Sequence, residues 1–421
     1  MAERAMQNRQ KKPAQPKPVR PRAGPQPLLL HLTLAGQMWL NWPMLLQSLQ
    51  NGSAGSNGGW SKIRSQAAAL DPDDFAAALA RAGIGRARDY LRGIALYRAQ
   101  PDIGNRTEAA VIARAGGSRL LDYAPGAENR PAVLCVPSLV NRYHILDLSA
   151  RHSLLRWLTA QGIRVFLADW GVLGDAEAGM GLTDYAARLA GLARSAQDSC
   201  GGRRLHLLGH CMGGNLALGL AFQTPEIVRS LILLATPWDF SQGGGQLGRY
   251  AAAIWERQKT ADPAPEFVPA ALVQTLFALA QPVEVTEKFR HLGRSPPDQA
   301  KLRLFTLVED WLNDGVPLTL PVCREIVEDW YGANLPGRGL WRLGGRMVQP
   351  QKIAAPALVV IAGHDRIVPP ASAAALAAQL PRAQALHLPL GHIGMIVGSG
   401  AKTRLWRPLA AWIKRQEIAG S

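Results

Sequence analysis

The run Gly209-His210-Cys211-Met212-Gly213-Gly214 follows the apolar stretch Leu205-His206-Leu207-Leu208 and precedes a small-residue stretch, Asn215 to Ala221, that reads as a helix. A glycine two residues before and two residues after a nucleophile marks a strained strand-to-helix turn, because side chains at those places would collide with neighbouring backbone. Here the nucleophile position holds Cys211 where serine is usual. A turn of this kind needs a buried strand before it and a helix after it, so the chain is directed toward a layered α/β fold.

Two later segments supply partners for the thiol. Pro356 to Ala362 reads as a buried parallel strand and ends in Gly363-His364-Asp365-Arg366, which puts Asp365 at the carboxyl edge of a sheet. An alanine-rich helical stretch follows, then the short strand Ala385-Leu386-His387-Leu388 and the turn Pro389-Leu390-Gly391-His392-Ile393-Gly394. Nucleophile, acid and histidine in that chain order are the order of the α/β-hydrolase fold. Cys211 is expected to attack, His392 to accept its proton, and Asp365 to fix the imidazole tautomer. Singly, each residue would read as a packed thiol, a turn aspartate or a surface histidine.

The intervening pattern agrees. Ala132 to Val136, Arg164 to Ala168, Leu205 to Leu208 and Leu231 to Ala235 are short apolar runs of strand length, with a helix expected from about Ser149 to Gln161. Strands alternating with helices predict a mostly parallel sheet with helices on both faces. Between Pro237 and Ala355 the strand pattern stops, and helical segments carry Trp255, Trp311, Trp330 and Trp341. An insertion between the halves bearing the nucleophile and the acid predicts a helical cap over Cys211. Asp71-Pro72-Asp73-Asp74 supplies the cap and first-turn acids of a helix running to about Tyr97. The expected division is a disordered basic tail, amphipathic segment and linker over 1–60, a helical region over 61–118, and an α/β-hydrolase catalytic domain over 119–421 with its cap at about 240–350.

The formal net charge of +16 invites a nucleic-acid partner, but no helix-turn-helix, zinc finger or aromatic RNA-binding motif accompanies it. Part of the excess sits in Met1 to Gln26, which holds seven lysines and arginines against Glu3 alone and is proline-rich. The rest is spread along the chain and suits an anionic ligand. The four cysteines show no metal-ligand spacing and are too sparse for a disulfide scaffold, which points to a reducing cytoplasm. Leu28 to Leu49 is apolar but broken by His31, Gln37, Asn41 and Pro43, short of the roughly 20 residues that span a bilayer. It reads either as an interfacial or partner-binding element or as a helix packed on the main domain. Gly52 to Gly59 reads as a flexible linker.

Several further motifs, in order, resemble polyhydroxyalkanoate synthases: Val136 to Leu148, Ala168-Asp169-Trp170-Gly171, the elbow, Ala235 to Phe240, Trp311-Leu312-Asn313-Asp314 through Trp330-Tyr331-Gly332-Ala333-Asn334, and Gly391-His392-Ile393-Gly394. The likeness spans roughly Arg130 to Gly400, and the short N-terminal region is similar to the class III enzymes. It implies a polymerase that takes 3-hydroxyacyl-CoA, carries the growing polyester as a thioester on Cys211 and releases CoA. His392 would be the base, supported by Asp365, and the oxyanion hole would use the backbone N–H of Met212 with that of Leu139 or Val140. The resemblance implies no cofactor, no metal and no nucleic acid, a cytoplasmic and granule-associated enzyme, and a homo-oligomer or a complex with a partner subunit. Asp169 is expected to close a strand by side-chain hydrogen bonds. Two places depart from the family pattern: Arg366 stands where histidine is common and Asn215 where threonine is frequent.

The competing reading is a cysteine-dependent hydrolase on the same fold, an intracellular polyester depolymerase or thioesterase. Thiolate chemistry favours transfer, because attack on a thioester yields another activated thioester, but the elbow itself is shared by both.

Overall fold

The computed structural model describes residues 22–41, 62, 65–66, 70–101, 109–243, 246–261 and 265–418. Its centre is an eight-stranded sheet built from β1 (Ala110–Ala115), β2 (Ser118–Asp122), β3 (Ala132–Val136), β4 (Arg164–Asp169), β5 (Leu205–His210), β6 (Val228–Leu234), β7 (Ala357–Ala362) and β8 (Ala383–Leu388). The spatial order is β1-β2-β4-β3-β5-β6-β7-β8. The β1–β2 and β2–β4 pairs are antiparallel, and the other pairs are parallel. Strands β3 to β7 are apolar on both faces because helices cover both: α4 (Leu182–Asp198) and α5 (Met212–Gln223) lie in one layer, α3 (Leu154–Ala160) and the C-terminal helix α10 (Arg407–Ile418) in the other. This is the expected α/β-hydrolase arrangement. The sheet reaches further toward the N-terminus than the expected boundary at residue 119, because β1 adds an edge strand. Its largely exposed residues, Val111 and Ile112 among them, carry no burial alternation.

The insertion between β6 and β7 forms the cap: α6 (Gln246–Lys259), α7 (Ala270–Ala280), α8 (Pro282–Arg294), α9 (Gln299–Asn313), a short helix Leu320–Arg324 and a π-helical turn, Glu325–Gly332. Edge-to-face rings anchor it to the elbow half. Trp330 stands 5.5 Å from Trp341, and Trp341 stands 6.1 Å from Trp238, which follows β6.

The helical region before the sheet is fastened to this cap. In α2 (Pro72–Arg98), Asp71 accepts hydrogen bonds from the Asp73 and Asp74 N–H groups, the cap its sequence encodes. Gly93 of α2 faces Gly293 of α8, and a Cβ on either would overlap the other helix's backbone. The two axes can therefore approach more closely than larger residues permit. Of the two readings open for Leu28 to Leu49, the described part, α1 (Leu28–Leu40), packs on the protein: Ala35 and Trp39 are buried with Tyr90 and Ile94 of α2 and Phe289 of α8. Leu29, Leu32, Met38 and Leu40 remain exposed. The basic residues before Arg22, Trp42 and the glycine linker lie outside the described residues. Among the described residues no helix is long and apolar enough to cross a membrane.

Candidate active site

Strand β5 ends at His210, and Cys211 adopts φ +53° before α5 begins at Met212. A left-handed backbone at a non-glycine residue is strained and must be held by its surroundings. The Cys211 N–H donates to the Leu234 carbonyl at 2.8 Å, and its carbonyl accepts from the Gly214 N–H at 2.8 Å. A Cβ at Gly213 would overlap the Val136 and Pro137 carbonyls, and one at Gly209 would overlap the Gly213 and Gly214 backbone. The two glycines are thus required by packing. Asn215, where the family favours threonine, is fully buried and donates from Nδ2 to the Pro237 carbonyl at 2.8 Å, tying the elbow helix to the loop after β6.

Asp365 follows β7 and His392 follows β8, two parallel neighbours whose carboxyl ends open on the same edge as the elbow. Asp365 Oδ1 accepts the N–H groups of Ile367 at 2.8 Å and Val368 at 2.9 Å, and Oδ2 accepts from His392 Nδ1 at 2.6 Å. Both side chains are almost fully buried. Burial pushes the imidazole pKa down, yet the Asp365 carboxylate, the Cys211 sulfur and hydrogen bonds to both outweigh it and raise His392 to about 10. An imidazole so placed takes a proton readily and holds it beside sulfur.

Cys135, Cys200 and Cys323 are free and buried, whereas Cys211 is partly exposed. Burial pushes the Cys135 and Cys323 thiols upward, Cys323 to about 12. Cys211 is thus the accessible thiol, as nucleophilic chemistry requires.

Two cavities meet at Cys211. The first is almost wholly apolar and lies under the cap, with Phe240, Ile254, Trp255, Phe277, Trp330 and Tyr331 in its wall. The π-helical turn delivers Trp330 and Tyr331 to it, a distortion that recurs at functional sites. Burial and the neighbouring Cys211 push the Tyr331 hydroxyl upward. The second cavity is more polar and includes Ser138, Asn141, His210, Lys288, Glu309 and His392. Lys288 Nζ donates to both Glu309 carboxylate oxygens, at 2.7 and 2.8 Å.

The N-terminal segment closes this second cavity: Pro25, Gln26 and His31 are part of its wall. Arg22 holds the segment with a two-pronged pair to Asp310, both contacts 2.7 Å, and the Gln26 N–H donates to Asn313 Oδ1 at 3.0 Å. Burial and the Lys288 charge pull His31 down to about 4, against its hydrogen bond to the Gln26 carbonyl. Sequence reasoning missed these residues, because nothing local marks a segment whose partners lie nearly 300 positions away.

Other expected residues resolve plainly. Val140 borders both cavities, and its N–H donates to Ser138 Oγ at 3.3 Å, while Leu139 is buried. Asp169 accepts from Arg119 Nε at 2.8 Å and from the Gly171 N–H at 3.1 Å, which closes the end of β4. Arg366 points outward and pairs with Glu284 at 3.5 Å.

The α/β hydrolase fold family model matches residues 131–399, and the model of the poly-beta-hydroxybutyrate polymerase (PhaC) N-terminus matches residues 101–158. Among curated relatives, the chain is 30% identical to the poly(3-hydroxyalkanoate) polymerase subunit PhaC of Synechocystis, over 68% of this chain and 78% of that one. It is 29% identical to the subunit of the same name from Allochromatium vinosum, over 70% of this chain and 83% of that one. For the Haloferax mediterranei subunit the identity is 29% over 75% of this chain, and the match spans 65% of the relative's length.

Proposed function

The chain belongs to the α/β-hydrolase family and, within it, to the poly(3-hydroxyalkanoate) polymerase subunits PhaC, and from that membership we propose that it polymerises 3-hydroxyacyl-CoA through a thioester on Cys211. The observation that carries the reading is a thiol on a strained elbow, partnered by a buried His392–Asp365 pair where an apolar and a polar cavity meet.

In the first half-reaction the Cys211 thiol gives its proton to His392 Nε2 and the sulfur attacks the thioester carbonyl. Asp365, bonded to Nδ1, stabilises the imidazolium that forms. We assign the Met212 N–H and an N–H of the Leu139–Val140 loop to the oxygen on which charge develops. Collapse expels the CoA sulfur, which takes the proton from His392 and leaves an acyl-Cys211 thioester. In the second half-reaction the hydroxyl of another hydroxyacyl group gives its proton to His392. Its oxygen attacks the acyl-Cys211 carbonyl, and the Cys211 sulfur departs and is reprotonated. One ester bond forms for one thioester consumed.

The apolar cavity suits the acyl chain. The polar one suits the CoA arm and the incoming hydroxyl, and exclusion of water by bound substrate would favour ester formation over hydrolysis. No cofactor enters these steps. The exposed leucines of α1 provide a surface for a polymer granule or partner subunit, consistent with a cytoplasmic, granule-associated enzyme.

The test is incubation with 3-hydroxybutyryl-CoA, alone and with candidate partner subunits. Stoichiometric CoA release with polyester recovered as an insoluble product supports the proposal. CoA release that yields only free 3-hydroxybutyrate would assign the chain to the hydrolases instead.

A further inference from the structure

Strand β5 carries two buried histidines, and they differ. His206 is satisfied at both ring nitrogens: Nδ1 meets Ser230 Oγ at 2.7 Å and Nε2 meets Glu417 Oε1 at 3.0 Å. His210, four residues on, is 3% exposed, and its Nε2 is buried without a hydrogen-bond partner among the described residues. Its ring lies 5.1 Å from the His392 ring, and it forms part of the polar cavity that holds Cys211 and His392.

A buried ring nitrogen without a partner costs stability, and this one belongs to a residue lining the cavity that holds Cys211 and His392, where a bound substrate can supply the bond. The ligand here must reach a point beside the elbow. The chemistry already limits it to an acyl group with its carbonyl carbon at the Cys211 sulfur, and a 3-hydroxyl oxygen lies only three bonds from that carbon. We propose that His210 binds the 3-hydroxyl of the hydroxyacyl group at the elbow, and so makes the site select hydroxyacyl over unsubstituted acyl thioesters.

The inference rests on the acyl-transfer reading above and goes further by naming the group that recognises the substrate class. A neutral imidazole offers one donor and one acceptor, either of which suits a hydroxyl. Burial first and the charge of His392 second pull the His210 pKa well below its ordinary value, so the ring is neutral when the enzyme works. His210 transfers no proton. It fixes the acyl group at the elbow by its 3-hydroxyl, and His392 moves the protons. A substrate without the hydroxyl leaves the nitrogen unpaired, and the cost of that unmade bond sets the discrimination.

The experiment compares loading of Cys211 by 3-hydroxybutyryl-CoA and by butyryl-CoA, followed by intact-protein mass spectrometry of quenched samples. The proteins are the full chain, His210→Phe, which keeps a ring and removes both nitrogens, and His210→Gln, which keeps a hydrogen-bonding group. Wild type should load the hydroxy substrate faster by about 10- to 100-fold in kcat/KM. His210→Phe should bring the ratio close to one by slowing the hydroxy substrate while sparing butyryl loading, and His210→Gln should restore part of it. A variant that slows both substrates equally, or a wild type without preference, overturns the assignment of His210. Should His210→Phe not fold, the ratio in His210→Gln decides, because a purely structural role would leave it at the wild-type value. A wild type that loads neither substrate on Cys211 refutes the acyl-transfer reading itself, and this inference with it.

Discussion

Asp365 accepts three hydrogen bonds, two from the backbone of Ile367 and Val368 and one from His392 Nδ1 at 2.6 Å, so the carboxylate is fixed before it fixes the imidazole. In Asp365→Asn the amide oxygen can keep the two backbone donors, which turns the amide N–H toward Nδ1. The proton of a neutral ring must then move to Nε2, the nitrogen that the proposed mechanism needs free to accept the Cys211 proton. CoA release per folded molecule should fall by about 10³- to 10⁴-fold, with the circular dichroism spectrum at the assay temperature still that of the folded protein. Activity lost only in proportion to the fraction of unfolded protein would count against the assignment.

The buried histidines predict opposite pH limbs of stability. His392 is raised to about 10, so its contribution is fully present below the unfolded value near 6.5 and is lost as pH rises through 10. His31 is lowered to about 4, so the unfolded chain takes up a proton that the folded chain refuses, and stability falls as pH drops from 6.5 toward 4. Urea unfolding across pH should show both limbs. His31→Gln should flatten the acid limb, and Cys211→Ser, which removes one cause of the high His392 value, should bring the alkaline limb to lower pH.

Asp169 belongs to a family motif yet bonds Arg119 and the Gly171 N–H. Asp169→Asn should cost about 1–3 kcal/mol of stability and leave the turnover of folded protein within a factor of two or three. Denaturant midpoints with CoA release per folded molecule separate the two effects. Lost turnover in well-folded protein would give Asp169 a chemical role.

Trp39 joins α1 to α2 through an edge-to-face contact with Tyr90, ring centres 5.4 Å apart. Trp39→Ala should cost about 3–5 kcal/mol. Arg22→Ala, which unpins the segment ahead of α1, should raise the rate of iodoacetamide labelling at Cys211 by up to about tenfold, the equivalent of 1.4 kcal/mol. Unchanged labelling would mean that the segment does not shield the thiol.

The parts of the molecule legible in the sequence are those whose cause is local. Contiguous runs such as Leu358 to Ala362 mark strands covered on both faces, and the glycines around Cys211 mark a turn that no other residue could make. Asp365 and His392 could be placed because each ends a strand of the same sheet. What escaped reading depends on distant partners. The edge strand β1 lacks apolar alternation because most of its residues face solvent, the contact of Gly93 with Gly293 is visible only when two helices meet, and His210 sat unweighed inside a motif read for its cysteine.

The pair between Arg22 and Asp310 joins residues 288 positions apart. At a synthesis rate of about 5–20 residues per second, the chain grows for roughly 15 to 60 seconds after Arg22 is made before its anchor exists. During that interval the elbow and its flanking strands can assemble, but the polar cavity stands open and Trp39 lacks the Phe289 side of its pocket. The segment at Arg22 is therefore seated after most of the cap, and the chamber around the thiol closes only after the cap has been made.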